Sequence, residues 1–136
     1  MSPREMKLRG LRFFLIFSAC TWLICLAGLF LDWPTINHVA MGMGAQSLAY
    51  DPMLVYWLRM VCGAFSLVGL WYLLLGLYPR KYAVAIPWAG WMMIVEGVIL
   101  VCSGLSLHIG PFPFLGDIGA CFLGGGGILL LAKAAK

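Results

Sequence analysis

Charge is what this sequence has least of. Of its 136 residues, 10% are Asp, Glu, Lys or Arg, against about a quarter in an ordinary soluble domain. That balance excludes a conventional soluble globular protein. A net charge of +4 does not point to nucleic acid as a partner, because eight of the nine basic residues lie in short segments flanking apolar runs, where they set orientation. None of the five cysteines (Cys20, Cys25, Cys62, Cys102, Cys121) belongs to a Cys-x-x-Cys pair. This argues against a membrane thiol oxidoreductase, and the thiols read as small apolar side chains. There are only two histidines, His38 and His108, both in expected loops with no cysteine near them. A metal site would need further ligands, so neither a metal nor any other cofactor is expected. There is no internal repeat and no low-complexity tail, and Leu31-Asp32-Trp33-Pro34 is not a small-residue cleavage site. The first apolar run is therefore read as a retained span.

What the sequence has in plenty is hydrocarbon. It is 63% hydrophobic, with several runs near the ~20 residues that cross a bilayer. The expectation is an all-α integral membrane protein: one domain over residues 1–136, built as a four-transmembrane-helix bundle. The spans are placed at about 12–31, 53–77, 84–106 and 117–132. A longer connection joins the first two, and His108-Ile109-Gly110-Pro111-Phe112-Pro113 breaks the third from the fourth. Arg4, Lys7, Arg9, Arg12, Arg80, Lys81, Lys133 and Lys136 all fall on one side of this arrangement. Asp32, Asp51 and Asp117 fall on the other, with no Lys or Arg. The positive-inside rule then puts both termini in the cytoplasm. The segment His38–Gly44 reads as a short re-entrant or interfacial helix.

Small residues at helical spacing mark the faces on which helices approach one another in lipid. Span two carries Arg59, Cys62, Gly63, Ser66, Gly69 and Gly76. Span three carries Ala89, Gly90, Glu96, Gly97, Ser103 and Gly104. Span four carries Gly116, Gly119, Ala120 and the run Gly124–Gly127. Two charges, Arg59 and Glu96, sit deep within spans on these stripes, which turns them toward the bundle interior. Each would cost a few kcal/mol if unpaired in hydrocarbon, so a Glu96–Arg59 pair is the first proposal. Side chains lean toward their own helix N-terminus, however, and the two would lean apart. Arg59 could instead pair with Asp117. Glu96 would then be protonated, bonded to the hydroxyls of Thr21 or Ser66, or bathed in a water-filled pocket. The functional expectation is an outward-facing polar pocket holding Arg59, Glu96 and Asp117, with Tyr56, His38 and His108 at its mouth.

The pattern His38-x-x-x-Gly42-x-Gly44, Tyr56-x-x-Arg59, Pro79-x-x-Tyr82 and Gly97 resembles small four-span bacterial membrane proteins and, more broadly, the DoxX-like group. The resemblance implies a four-helix bundle in a bacterial inner membrane and supplies no catalytic residue. Small multidrug transporters share the size and a single membrane glutamate, but theirs lies in the first span, which here has no carboxylate before Asp32. Three functions follow as expectations. The first is a non-enzymatic membrane module, serving as a subunit or homo-oligomer or binding a small apolar or amphipathic ligand. The second is a proton-coupled transporter using Glu96. The third is a membrane isomerase or hydrolase using Glu96 or Asp117 as acid or base, with Arg59 stabilising developing negative charge.

Overall fold

Prolines set where the helices begin. In the computed structural model, which describes residues 2–108 and 111–135 and only the backbone of 111–114, every α-helix carries a proline at or next to its first residue. There the missing N–H goes unused and the fixed φ favours helix. Helix α1 runs Pro3–Leu23 and tightens into a 3-10 segment, Ile24–Leu29; α2 is Trp33–Gly42; α3 is Pro52–Leu77; α4 is Ile86–Ser106; α5 is Pro111–Leu131, followed by a 3-10 turn, Ala132–Ala135. No strand occurs among the described residues. Stretches Pro3–Leu29, Pro52–Leu77, Ile86–Ser106 and Leu115–Ala135 are long and apolar enough to cross a membrane.

Capping side chains supplement the prolines. Ser2 and Glu5 form a reciprocal box: the Glu5 backbone N–H donates to Ser2 Oγ at 3.3 Å, and the Ser2 N–H donates to Glu5 Oε2 at 3.1 Å. This box carries α1 back to Pro3, well before the expected span at Arg12, because the basic segment is itself helical. Asp32 caps α2 through Thr35, and Asp51 caps α3 through Met53 at 2.9 Å. The helix expected near His38–Gly44 is thus longer, starting at Trp33. Its ten residues reach only about 15 Å, too short to span. Asn37 ties the following strap back to it by accepting from Leu48 N–H at 3.1 Å. Helix α3 stops where Pro79 forbids its continuation, and Pro79 is fully buried in the turn to α4. The expected break at His108–Pro113 includes Ile109 and Gly110, which lie outside the described residues, as does Lys136.

Helix α1 is the hub. It packs on α3 and on α5, α5 packs on α4, and α3 also meets the 3-10 segment; α3 and α4 are not close-packed neighbours. The core lies toward the end that carries both termini. Leu8, Leu11, Leu15 and Ala19, spaced as one helical stripe, meet Tyr72 and Leu75 of α3, Ile86, Ala89 and Met93 of α4, and Ile128 of α5. Two glycines make this closeness possible. A Cβ on Gly69 would stand 2.9 Å from Leu23 N and 3.1 Å from Ala19 O, and one on Gly125 would stand 2.9 Å from Gly90 O. Backbone meets backbone at both crossings, as lipid-phase packing favours. Outside this core, Leu67, Leu70, Trp88, Val95 and Leu130 face outward, a surface suited to acyl chains.

At the far end the helices are looser. Nothing lies within 4 Å of a Cβ placed on Gly116 or Gly119, and Ser103, Leu105, Leu115 and Gly116 are exposed. The bundle is closed at one end and open at the other.

Candidate functional site

The open end leaves a cavity of about 200 Å³ bounded by all four long helices and the 3-10 segment. Helix α1 supplies Thr21 and Trp22, and the 3-10 segment supplies Ile24 and Cys25. Helix α3 contributes Phe65, α4 contributes Glu96 and Leu100, and α5 contributes Asp117 and Cys121. Glu96 and Leu100 are one turn apart on α4, as are Asp117 and Cys121 on α5, so each helix presents one carboxylate and one apolar side chain on a single face.

Gly97 fixes the level of Glu96 against α5, since a Cβ there would touch Cys121 and Phe122 at 3.1–3.2 Å. Asp117 lies five residues before Phe122 on α5, so it stands about 7 Å nearer the open end along the helix axis. The two carboxylates thus mark a mouth and a floor. Trp22 and Phe65 form the opposite wall, their rings edge to face with centroids 5.0 Å apart. Trp22 Nε1 is buried and has no hydrogen-bond partner. An orphaned buried donor costs about 1–3 kcal/mol, and it belongs to a residue that lines this cavity.

Below Glu96 lies a second space of about 130 Å³, bounded by Trp22, Phe65, Val68, Tyr72, Met92, Met93 and Glu96. It occupies the seam between α3 and α4. The Tyr72 hydroxyl closes its lower end by donating to the Ala89 carbonyl at 2.6 Å, fully buried. Glu96 therefore borders both the upper cavity and this second space.

The structure brings together two of the six candidate residues. Glu96 and Asp117 share the cavity. Arg59 does not line it. It is exposed on α3, and among the described residues it makes neither an ion pair nor a hydrogen bond. Neither proposed partner is reached, because a Glu96–Arg59 pair needs α3 and α4 to pack closely at that level and they do not. Tyr56 is exposed one turn before Arg59, and His38 is exposed on α2. His108 is exposed just after α4 with φ of 52°. None of these three borders the cavity. The hydroxyls considered for Glu96 are engaged elsewhere: Thr21 donates to Phe17 O at 3.1 Å and Ser66 to Cys62 O at 2.7 Å. No group of three His, Cys, Asp or Glu side chains able to hold a metal ion occurs among the described residues.

Sequence reasoning missed Trp22, Phe65 and Tyr72. A usable signal existed for two of them. Trp22 follows Ser18 by four residues and precedes Cys25 by three, on one helical face. A phenol in mid-span, as at Tyr72, requires a partner for its hydroxyl. Cys25 and Cys121, read as small apolar side chains, are part of the cavity wall.

Comparison with family models, with curated proteins and with solved structures finds no match to this chain.

Proposed function

We propose that this chain is a small non-enzymatic membrane protein that binds an amphipathic molecule in the cavity between Glu96 and Asp117. The apolar body would lie against Trp22, Phe65 and Leu100, and the polar end, a cation or a strong hydrogen-bond donor, would meet the carboxylates. The observation that carries this reading is the pairing itself: two carboxylates on a largely apolar cavity, with no basic side chain among its lining residues. Intramembrane carboxylates call for a compensating partner, and here a ligand would supply it.

The neighbouring alternatives fit less well. Acid–base chemistry would lack its anion-stabilising group, because Arg59 is outside the cavity. Proton-coupled transport needs access from both sides, and the Tyr72–Ala89 bond and the packed terminal core weigh against it. The distribution of basic residues supports a cytoplasmic position for both termini, with the cavity opening away from the cytoplasm. The motif resemblance supports a bacterial inner membrane and a DoxX-like relationship, and the exposed apolar perimeter leaves room for a homo-oligomer or a larger membrane complex.

The test is binding by purified protein in nanodiscs, using a medium-chain alkylamine, the matching alcohol and the matching sulfonate. The amine should bind best, and Glu96→Gln or Asp117→Asn should weaken it about ten- to a hundredfold, the range of one charge-assisted hydrogen bond. Equal binding of all three compounds, or an unchanged affinity in both variants with native helicity, would sink the proposal.

A further inference from the structure

The opposite end of the bundle carries a cleft that the amphipath reading does not use. It has a volume of about 520 Å³ and lies where the start of α1 meets the turn between α3 and α4. Arg9 and Arg12 reach it from α1, and Arg80 and Lys81 reach it from the turn. Its one acidic neighbour, Glu5, accepts the Ser2 N–H through Oε2 in the α1 cap and offsets one of the four positive charges. No ion pair neutralises these four cations among the described residues. Buried Leu8 and fully buried Pro79 form a firm floor, and exposed Leu77 gives one side an apolar edge.

The positive-inside tendency explains why this end is basic, but not why half of its basic residues meet. Of the eight, Arg9, Arg12, Arg80 and Lys81 share one cleft formed by two chain segments far apart in sequence, while Arg4, Lys7 and Lys133 lie outside it. Two guanidinium groups from α1 and one from the turn present planar donor forks, the geometry that suits phosphate oxygens. The cleft also sits at the end of the apolar stretches, where a bilayer's headgroups begin. Basic pockets between spanning helices at such a level accommodate anionic headgroups.

We infer that this cleft is a binding site for the phosphate headgroup of an anionic membrane phospholipid, with the acyl chains running down past Leu77. The inference is independent of the cavity around Glu96. Its test is native mass spectrometry of the whole protein released from vesicles of phosphatidylcholine with increasing phosphatidylglycerol. The double substitution Arg12→Gln with Arg80→Gln should lower retention of phosphatidylglycerol at least tenfold. Arg4→Gln with Lys7→Gln, which removes the same two charges from the same end, should lower it less than twofold. Arg12→Lys with Arg80→Lys, which keeps the charge, should recover at least half of the retention and guards against a folding defect in the Gln pair. Soluble glycerophosphate and inorganic phosphate should fail to displace the lipid at millimolar concentration. Equal losses in the two Gln pairs would reduce the effect to general surface charge, and displacement by inorganic phosphate would reassign the cleft to a soluble anion. Either result overturns the proposal.

Discussion

The hydroxyl of Tyr72 donates to the carbonyl of Ala89 at 2.6 Å, and among the described residues it is the only side-chain hydrogen bond that crosses between two long helices. It joins α3 to α4, the sequential pair that does not close-pack. One phenol therefore holds a seam that side-chain interdigitation leaves open. Tyr72→Phe should destabilise the bundle by roughly 0.5–1.5 kcal/mol, the range for a hydrogen bond between membrane helices. It should also widen the lower space. Equilibrium unfolding in bicelles measures the first effect, and thiol labelling at a cysteine introduced at Val68 measures the second. A variant as stable and as poorly labelled as the parent would show that packing alone holds the seam.

The four consecutive glycines of α5 should not be equivalent. A Cβ on Gly125 meets the Gly90 carbonyl at 2.9 Å, whereas a Cβ on Gly126 meets nothing within 4 Å. Gly125→Ala must push two backbones apart and should cost about 1–3 kcal/mol. Gly126→Ala should be neutral or stabilising by up to about 1 kcal/mol, the helix-propensity difference. Thermal unfolding of the two variants side by side decides the matter, and identical melting would contradict the geometry.

Trp22 places a buried indole N–H where no protein acceptor meets it. Trp22→Phe removes the orphaned indole N–H while keeping an aromatic ring beside Phe65. The relieved ~1–3 kcal/mol should largely offset the lost contact, so stability should change by less than about 1 kcal/mol. Trp22→Ala should cost about 3 kcal/mol or more. If the two substitutions destabilise equally, the indole N–H is not an unmet donor.

The start of α2 should be pH-sensitive. Thr35 donates to Asp32, which holds the Asp32 carboxyl below its ordinary value. A depressed pKa means that the carboxylate stabilises the fold fully above its unfolded-state value and loses that contribution as pH falls through the folded value. Amide exchange in the first turn of α2 should therefore quicken on acidification, while Asp32→Asn, which caps without titrating, should flatten the dependence. A parent protein whose Thr35 exchange tracks only the intrinsic pH effect would remove the cap from the account.

The helical class and the four apolar stretches were legible because hydrophobic length is written residue by residue. The small-residue stripes were legible in part. Ser66, Gly69 and Gly76 of α3 are buried, as are Ala89, Gly90, Gly97 and Gly104 of α4. The same rule failed at Arg59, Ser103 and Gly116, all exposed, since a stripe names a face without saying how far along the helix a partner follows it. Nor does a single sequence state which helices are neighbours. Placing Arg59 against Glu96 assumed that consecutive spans two and three pack, whereas α3 packs on α1 and α4 packs on α5. Asp117 was recognised as a candidate, yet its partnership with Glu96 depended on α4 lying beside α5 with Gly97 at the level of Cys121. That alignment arises from several van der Waals contacts acting together, and no motif encodes it.

The 3-10 winding of Ile24–Leu29 has a mechanical consequence. Six residues at about 2.0 Å each extend roughly 12 Å, where α winding would give roughly 9 Å. Each also turns about 20° further than in an α-helix, so Leu29 is rotated by about 120° relative to an uninterrupted α1. Cys25 belongs to the cavity wall and Gly28 lies so close to Cys62 that a Cβ would approach its Sγ to 2.5 Å, so the 3-10 winding sets where this part of the wall stands against α3.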